Sequence, residues 1–336
     1  MDPLSQGTVG AAFAQSTANK NNIFKIGIIG FLAGLAPDLD VLIRSSNDPI
    51  LFLEYHRQFT HSLFFIPFGS LIVALLLFPL VKRSMRFKTV YLASLLGYAT
   101  HGLLDACTSY GTQLFWPFSN ERVTWNNISI IDPLFTIPIL ILVGTAIKTR
   151  KRLFSFFAIG WVTFYLSLGF VQYERTLLTA IELAHSRGHN AERLTLKPSF
   201  GNLILWKSIY QHEEKFYVDA IRTVRLSTWC SGENIRMFDY QQHLPDLDED
   251  SQQKKDIERF RWFSQDYLGF DEEKNLVTDV RYSMIPNQIA PMWGLVIDDQ
   301  QDVNEHAIWW TSRSLDQSQL DLFKEMLSGK KCRNRS

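Results

Sequence analysis

A membrane α-helical bundle of about five spans, followed by a soluble α+β domain, is the fold class this sequence predicts. Three observations predict it. Up to residue 171 the chain is dominated by Leu, Ile, Phe, Val, Ala and Gly, and beyond it charged residues of both signs are dense. Two short loops in the apolar half are strongly basic. The second half alternates apolar and polar residues at the period of strands. The zero formal charge over 336 residues conceals this division into residues 1–171 and 172–336.

A helix needs about 20 apolar residues to cross the hydrocarbon core. The stretches that offer them are Ile23–Ile43, Ser62–Val81, Thr89–Ala106, Ile130–Ile147 and Leu153–Val171, the third being the least apolar because it contains His101 and Asp105. Residues 1–22 lack the basic start and sustained apolar core of a cleavable signal peptide. Leu4–Thr17 reads either as a short helix dipping into the membrane or as one lying on its surface. Lys82, Arg83, Arg86 and Lys88 fill one loop, and Lys148, Arg150, Lys151 and Arg152 another. The positive-inside rule puts both in the cytoplasm, so residues 44–61, 107–129 and everything after 171 are expected outside.

That topology sorts the polar residues of the apolar half onto one membrane face. Asp38 and Asp40 end the first span, His56 and His61 flank the second, His101 and Asp105 end the third, and Asp132 begins the fourth. Ionisable groups at such positions are costly and by default suggest function. His101 and Asp105, four apart on a helix, point from one face as paired metal ligands do. Pro37 ends regular helix beside Asp38 and Asp40, and Arg57 sits between two imidazoles five residues apart. These residues could hold one zinc with its outer shell, or two metals bridged by a carboxylate, with manganese or magnesium as alternatives. Taken alone, His101 would read as a core histidine, Asp132 as a helix cap and Asp40 as an outer carboxylate. Arg57 has the fork-shaped charge to bind a phosphate or carboxylate of a substrate. The loop from Thr108 to Trp125 mixes aromatics with small polar residues, as an interfacial belt or a rim over the site would.

At these residues the chain resembles the YdjM-type bacterial membrane-bound, metal-dependent hydrolases. The resemblance runs through Met1-Asp-Pro-Leu-Ser-Gln-Gly-Thr-Val-Gly-Ala-Ala12, Pro37-Asp-Leu-Asp40, His56-Arg57 with Thr60-His61-Ser62, His101-Gly-Leu-Leu-Asp105, Thr108-Ser-Tyr-Gly-Thr-Gln113 and Ile131-Asp-Pro133, most of the first 140 residues. It implies a hydrolase in the bacterial inner membrane whose metal is held at these His and Asp positions. The chain departs from many members in carrying Gln6 where they have histidine, which would leave one nitrogen donor fewer.

In the second half, an amphipathic stretch runs from Glu174 to about Arg193. Asn202–Tyr210, Lys215–Leu226, Leu276–Ile285, Met292–Asp298 and Ala307–Ser312 read as strands, and Glu249–Tyr267 and Leu315–Leu327 as helices. His185, His189, His212, His243 and His306 lack ligand spacing, and the acidic run from Asp246 to Asp250 lacks the glycine of a calcium loop. Cys230 and Cys332 pair only if this half lies in an oxidising compartment. No phosphate-binding glycine loop or basic nucleic-acid stripe appears, so nucleotide and nucleic-acid partners have no support. The expected function is metal-activated hydrolysis of an ester or phosphoester near the outer leaflet, with membrane lipids as neighbours and a lipid-linked molecule as one substrate class. The rivals are a metal-ion or proton transporter and a scaffold that uses metal for stability alone.

Overall fold

The computed structural model describes residues 1–298, 300–330 and 332–334. It divides into two compact units. The helical unit comprises Met1–Ile43, Tyr55–Val171 and Phe200–Asn202, and the C-terminal unit comprises Arg44–Glu54, Gln172–Ser199 and Leu203–Ser336.

The helical unit begins with α1 (Pro3–Gln15), started by Pro3 and by the Asp2 carboxylate, which accepts from Ser5 N. After a turn comes α2 (Ile23–Leu35), which tightens at Pro37 into a 3-10 segment over Ala36–Leu42, because proline cannot supply the N–H an α-helix needs. The short α3 (Leu51–Tyr55), most of which belongs to the C-terminal unit, leads to a 3-10 turn at Phe59–His61, and α4 (Ile66–Val81) and α5 (Phe87–Ala106) follow. Asp132 and Pro133 open α6 (Pro133–Thr149), and α7 runs unbroken over Leu153–Ser186.

Five full spans are not supported. Among the described residues α7 alone is long and apolar enough to cross a membrane, and Leu51–His61 with Ile66–Val81 passes only as a pair bent by 85°. The reason lies in backbone breaks that hydropathy does not register. At about 1.5 Å per residue, α2 rises only some 20 Å before Pro37 ends it, well short of a hydrocarbon core of about 30 Å. Conversely, α7 continues past Val171 to Ser186, since no proline or glycine interrupts the amphipathic stretch until Gly188, at φ +74°.

Glycines let α1, α2 and α5 approach until backbones touch. A Cβ on Gly10 would fall 2.5 Å from the Gly30 carbonyl oxygen, and one on Gly97 would fall 2.4 Å from the same atom. Close packing of this kind is how helices associate where lipid removes the hydrophobic incentive. Below it lies an apolar cluster of Ile23, Ile26, Ile29, Val90 and Ala93.

The C-terminal unit is α+β with every strand pairing antiparallel. One sheet orders β1 (Arg193–Pro198), β2 (Leu205–His212), β3 (Lys215–Thr223), β4 (Ser227–Cys230) and β10 (Arg333–Asn334), with β5 (Asn234–Arg236) also on β3. The other orders β6 (Leu268–Asp271), β7 (Leu276–Asp279), β8 (Trp293–Val296) and β9 (Ile308–Thr311). Short α8 (Tyr240–His243) precedes α9 (Gln252–Phe263), and α10 (Gln317–Ser328) carries a capping box between Asp316 and Gln319. Cys230 and Cys332 are disulfide-bonded across 102 residues, and Cys107 is free and buried.

Two lysines pair across β1 and β2, the half-buried Lys197 opposite the buried Lys207. Lys197 Nζ donates to the Arg281 carbonyl (2.8 Å) and lies over the Tyr282 ring, while Lys207 Nζ donates to Ser283 Oγ (2.6 Å) and the Gln288 carbonyl (2.9 Å). Burial pushes Lys207 down to about 7 and Lys197 well below its ordinary value. An unfolded chain keeps both protonated up to about pH 10. Between about pH 7 and 10 the unfolded state therefore binds more protons, and stability rises with pH. In the full-length protein, thermal unfolding of this unit, followed by protease susceptibility, is expected at higher temperature at pH 9 than at pH 7. The gain is up to about 2–3 kcal/mol for Lys207, with Lys197 adding in the same direction, and the double variant Lys197→Met, Lys207→Met should flatten the slope.

Candidate metal centre

Three breaks in regular helix bring the site together. The 3-10 segment after α2 carries Asp38 and Asp40, the turn at Phe59–His61 carries His61, and the last turn of α5 carries His101 and Asp105. His61 Nε2 lies 2.9 Å from His101 Nε2, 3.4 Å from Asp38 Oδ1 and 3.2 Å from Asp105 Oδ2. His101 Nε2 lies 3.3 Å from Asp38 Oδ1 and 3.5 Å from Asp105 Oδ2. A tetrahedral ion with bonds of about 2.1 Å has ligand–ligand edges of about 3.4 Å, so these separations have the dimensions of such a site. The Asp38 side chain is 26 % exposed and the other three are fully buried, so the centre opens at Asp38 alone.

Tautomers sharpen the point. His101 Nδ1 lies 2.5 Å from the Gly34 carbonyl, which can only accept, so Nδ1 carries the hydrogen and Nε2 presents a lone pair. His61 Nδ1 lies 3.2 Å from Asp40 Oδ2, which fixes its tautomer the same way. Two imidazole lone pairs and two carboxylate oxygens then face one another with no donor among them. Asp105 Oδ2 accepts no hydrogen bond, although it is buried. Such a cluster calls for a cation, either a proton on one imidazole or a metal ion.

The surrounding groups hold these donors in place. Asp40 accepts from His56 Nδ1 (2.8 Å), Arg57 N (3.0 Å) and Thr60 Oγ1 (2.8 Å) besides His61. Its acceptor positions are filled, so it acts as the carboxylate that orients both histidines, although Asp38, Asp40 and His56 also come close enough to form a second group. Arg57 is held in the left-handed region at φ +65°, a costly conformation for a non-glycine residue. Its Nε lies 3.2 Å from Asp105 Oδ2, its Nη1 donates to Thr108 Oγ1 (3.0 Å), and it stacks on Tyr110. The expected substrate-binding arginine is thus buried and already ion-paired with the Asp105 carboxylate.

Asp132 stands apart from both groups. Its carboxylate caps α6 through Leu134 N and Phe135 N and accepts from Tyr165 OH at 2.8 Å. Residues overlooked from spacing alone include the Gly34 carbonyl, Thr60 and Gln6. Gln6 is fully buried, and its Nε2 donates to Asp105 Oδ1 (2.9 Å), beside the Met1 amino group. Its one signal in the sequence was the departure from the resembling family, many of whose members carry histidine at this position. In the C-terminal unit His189 and His212 do stack, with ring centroids 4.3 Å apart, but among the described residues only the groups sharing Asp38 have metal-binding geometry.

A helical, membrane-type unit with a buried His/Asp centre, joined to an antiparallel β unit, is the class of protein these features define. The chain belongs to the YdjM family, described as YdjM inner membrane protein, whose model matches residues 1–176. It is similar to the "Uncharacterized protein YfhP" of Bacillus subtilis (strain 168), with 33% identity over 111 residues, which are 33% of this chain and 33% of that protein. The chain thus matches about a third of that relative's length. No solved structure matches it.

Proposed function

We propose that the protein is a membrane-bound, metal-dependent hydrolase acting on an ester or phosphoester. The observation that carries this reading is the acceptor-only cluster of Asp38, His61, His101 and Asp105, open at Asp38. Two nitrogen and two oxygen donors suit zinc first, with manganese or magnesium as alternatives, and the filled acceptor positions of Asp40 favour one ion over two. A bound divalent ion would lower the pKa of its water and supply hydroxide at neutral pH. The chain's own residues do the positioning: Asp40 and Gly34 fix the two imidazoles, and Gln6 and Arg57 fix Asp105. A guanidinium has five N–H donors, more than the Asp105 and Thr108 contacts use, so Arg57 also serves as the group that binds the substrate's negative charge.

The basic loops favour a cytoplasmic location for their ends of the helices, and the Cys230–Cys332 bond favours an oxidising compartment for the C-terminal unit. The site then faces the outer leaflet, where a lipid-linked ester is the natural substrate class. A transporter would need polar groups through the depth of the bundle. The cluster is instead confined to one end of α5, beside its last turn.

The test is hydrolysis of anionic and neutral esters and phosphoesters by detergent-purified protein loaded with zinc or manganese. Arg57→Lys, assayed at saturating metal because Arg57 also holds Asp105, should raise KM for an anionic substrate about 10-fold or more. Stoichiometric metal without turnover of any ester would leave a scaffold and sink the hydrolase.

A further inference from the structure

The chain leaves the helical unit between two pairs of site residues. Asp38 and Asp40 precede Arg44–Glu54, His56 and His61 follow it, and the segment itself belongs to the C-terminal unit. It is held there firmly. Ile50 and Leu53 are buried, and the Phe52 ring meets Trp309 edge-on at 5.2 Å. Arg259 of α9 grips the segment at two points. Its Nη1 and Nη2 fork onto Asp48 (3.1 and 2.8 Å), and its Nε donates to Glu54 Oε1 at 2.5 Å.

Arg259 is itself braced. Asp256, one turn earlier on α9 and fully buried, lies 3.2 Å from Nη1 and is fixed in turn by His306 Nδ1 (2.9 Å) and Ala307 N (3.0 Å). A mere surface ion pair contributes little and would not need a buried second carboxylate behind it. Three carboxylates on one planar guanidinium define a position, as bidentate arginine pairs do. What they define is the conformation of the segment that runs from just after Asp40 to just before His56. Metal sites tolerate only about 0.2 Å in ligand distance, so a segment covalently joined to both ligand pairs sets the site's geometry when it is fixed and blurs it when it is free.

We infer that Arg259 is a positioning residue for the metal centre: through Asp48 and Glu54 the C-terminal unit sets the affinity of a site whose ligands all belong to the helical unit. This rests on the metal reading above but not on hydrolysis. It also gives the C-terminal unit a route for regulation, because anything that displaces the segment from Arg259 would loosen the metal.

The test is zinc affinity of the full-length, detergent-purified protein, by competition with a chromophoric chelator. Arg259→Gln should weaken binding about 10–100-fold, the loss typical of removing an outer support of a metal site, and Arg259→Lys should restore part of it. Arg261→Gln is the matched control. It removes the ion pairs of Arg261 with Asp266 and Glu258 within the same unit but leaves the segment untouched, so affinity should stay at the wild-type level. Wild-type affinity in a folded Arg259→Gln protein would overturn the inference while sparing the metal site. An equal loss in Arg261→Gln would overturn it too, by showing that any damage to the unit suffices. A wild-type protein that binds no zinc would sink the metal reading itself.

Discussion

Replacing His101 and Asp105 together with alanine is expected to strip the purified protein of bound metal. The pair supplies two of the four converging donors. Complete tetrahedral zinc sites are worth about 10–16 kcal/mol, or roughly 3 kcal/mol per donor, so losing two should weaken binding about ten-thousand-fold. Elemental analysis beside the wild type reads the result directly. The double variant also breaks the His101–Gly34 bond and leaves Arg57 without its carboxylate, and an unpaired buried cation can cost enough to unfold a protein. Asp38→Asn removes that doubt. Asp38 is the one partly exposed donor, and its loss leaves Arg57 paired. It should lower affinity about 100-fold or more, given that even outer supports are worth 10–100-fold. Full metal occupancy in both variants would mean that the cluster is held by protons, with an imidazolium between two carboxylates.

The outline of this site was legible because its donors are of the right kind and one pair has helical spacing. His101 and Asp105 had to share a face once α5 was granted. Asp132 could not be sorted the same way, because an aspartate before proline at a helix start reads equally as cap and as ligand. The sequence also could not reveal Gly34, whose contribution is a carbonyl, or the ion pair of Arg57 with Asp105, whose partners are 48 residues apart. The count of spans failed for a related reason. Hydropathy sums side chains, whereas Pro37 breaks α2 through the backbone. That residues 44–54 belong to the C-terminal unit was not legible either, since Ile50, Phe52 and Leu53 look alike whether lipid or protein covers them. The strands β7, β8 and β9 lay inside predicted stretches; β5, with three residues, is too short for alternation to register, and β4 and β6 fell outside those stretches although they are as long as the strands that were found.

Gly102→Ala should damage the metal centre nearly as much as losing a ligand, although glycine offers no donor. A Cβ at residue 102 would fall 2.1 Å from the carbonyl oxygen of His61, far inside an ordinary contact distance. Nor can the neighbour retreat easily. The turn bearing His61 is tied down by Tyr98 OH donating to the Thr60 carbonyl (2.8 Å) and by Leu63 N donating to the Leu114 carbonyl (2.9 Å). Relief therefore requires the turn and α5 to part by about 1 Å, at a cost of about 1–3 kcal/mol in packing. A parting of that size carries His61 Nε2 well beyond the tolerance of a metal site, about 0.2 Å. Metal affinity should fall at least 10–100-fold, the effect of losing an outer support, with every donor still present. Gly144→Ala and Gly160→Ala make the comparison fair. Both lie within helices and would place a Cβ where nothing lies within 4 Å, so they should bind metal normally and be stabilised by up to about 1 kcal/mol. Unchanged metal binding in a folded Gly102→Ala protein would show that His61 can be displaced without consequence. It would then drop out of the ligand set, leaving His101, Asp105 and Asp38.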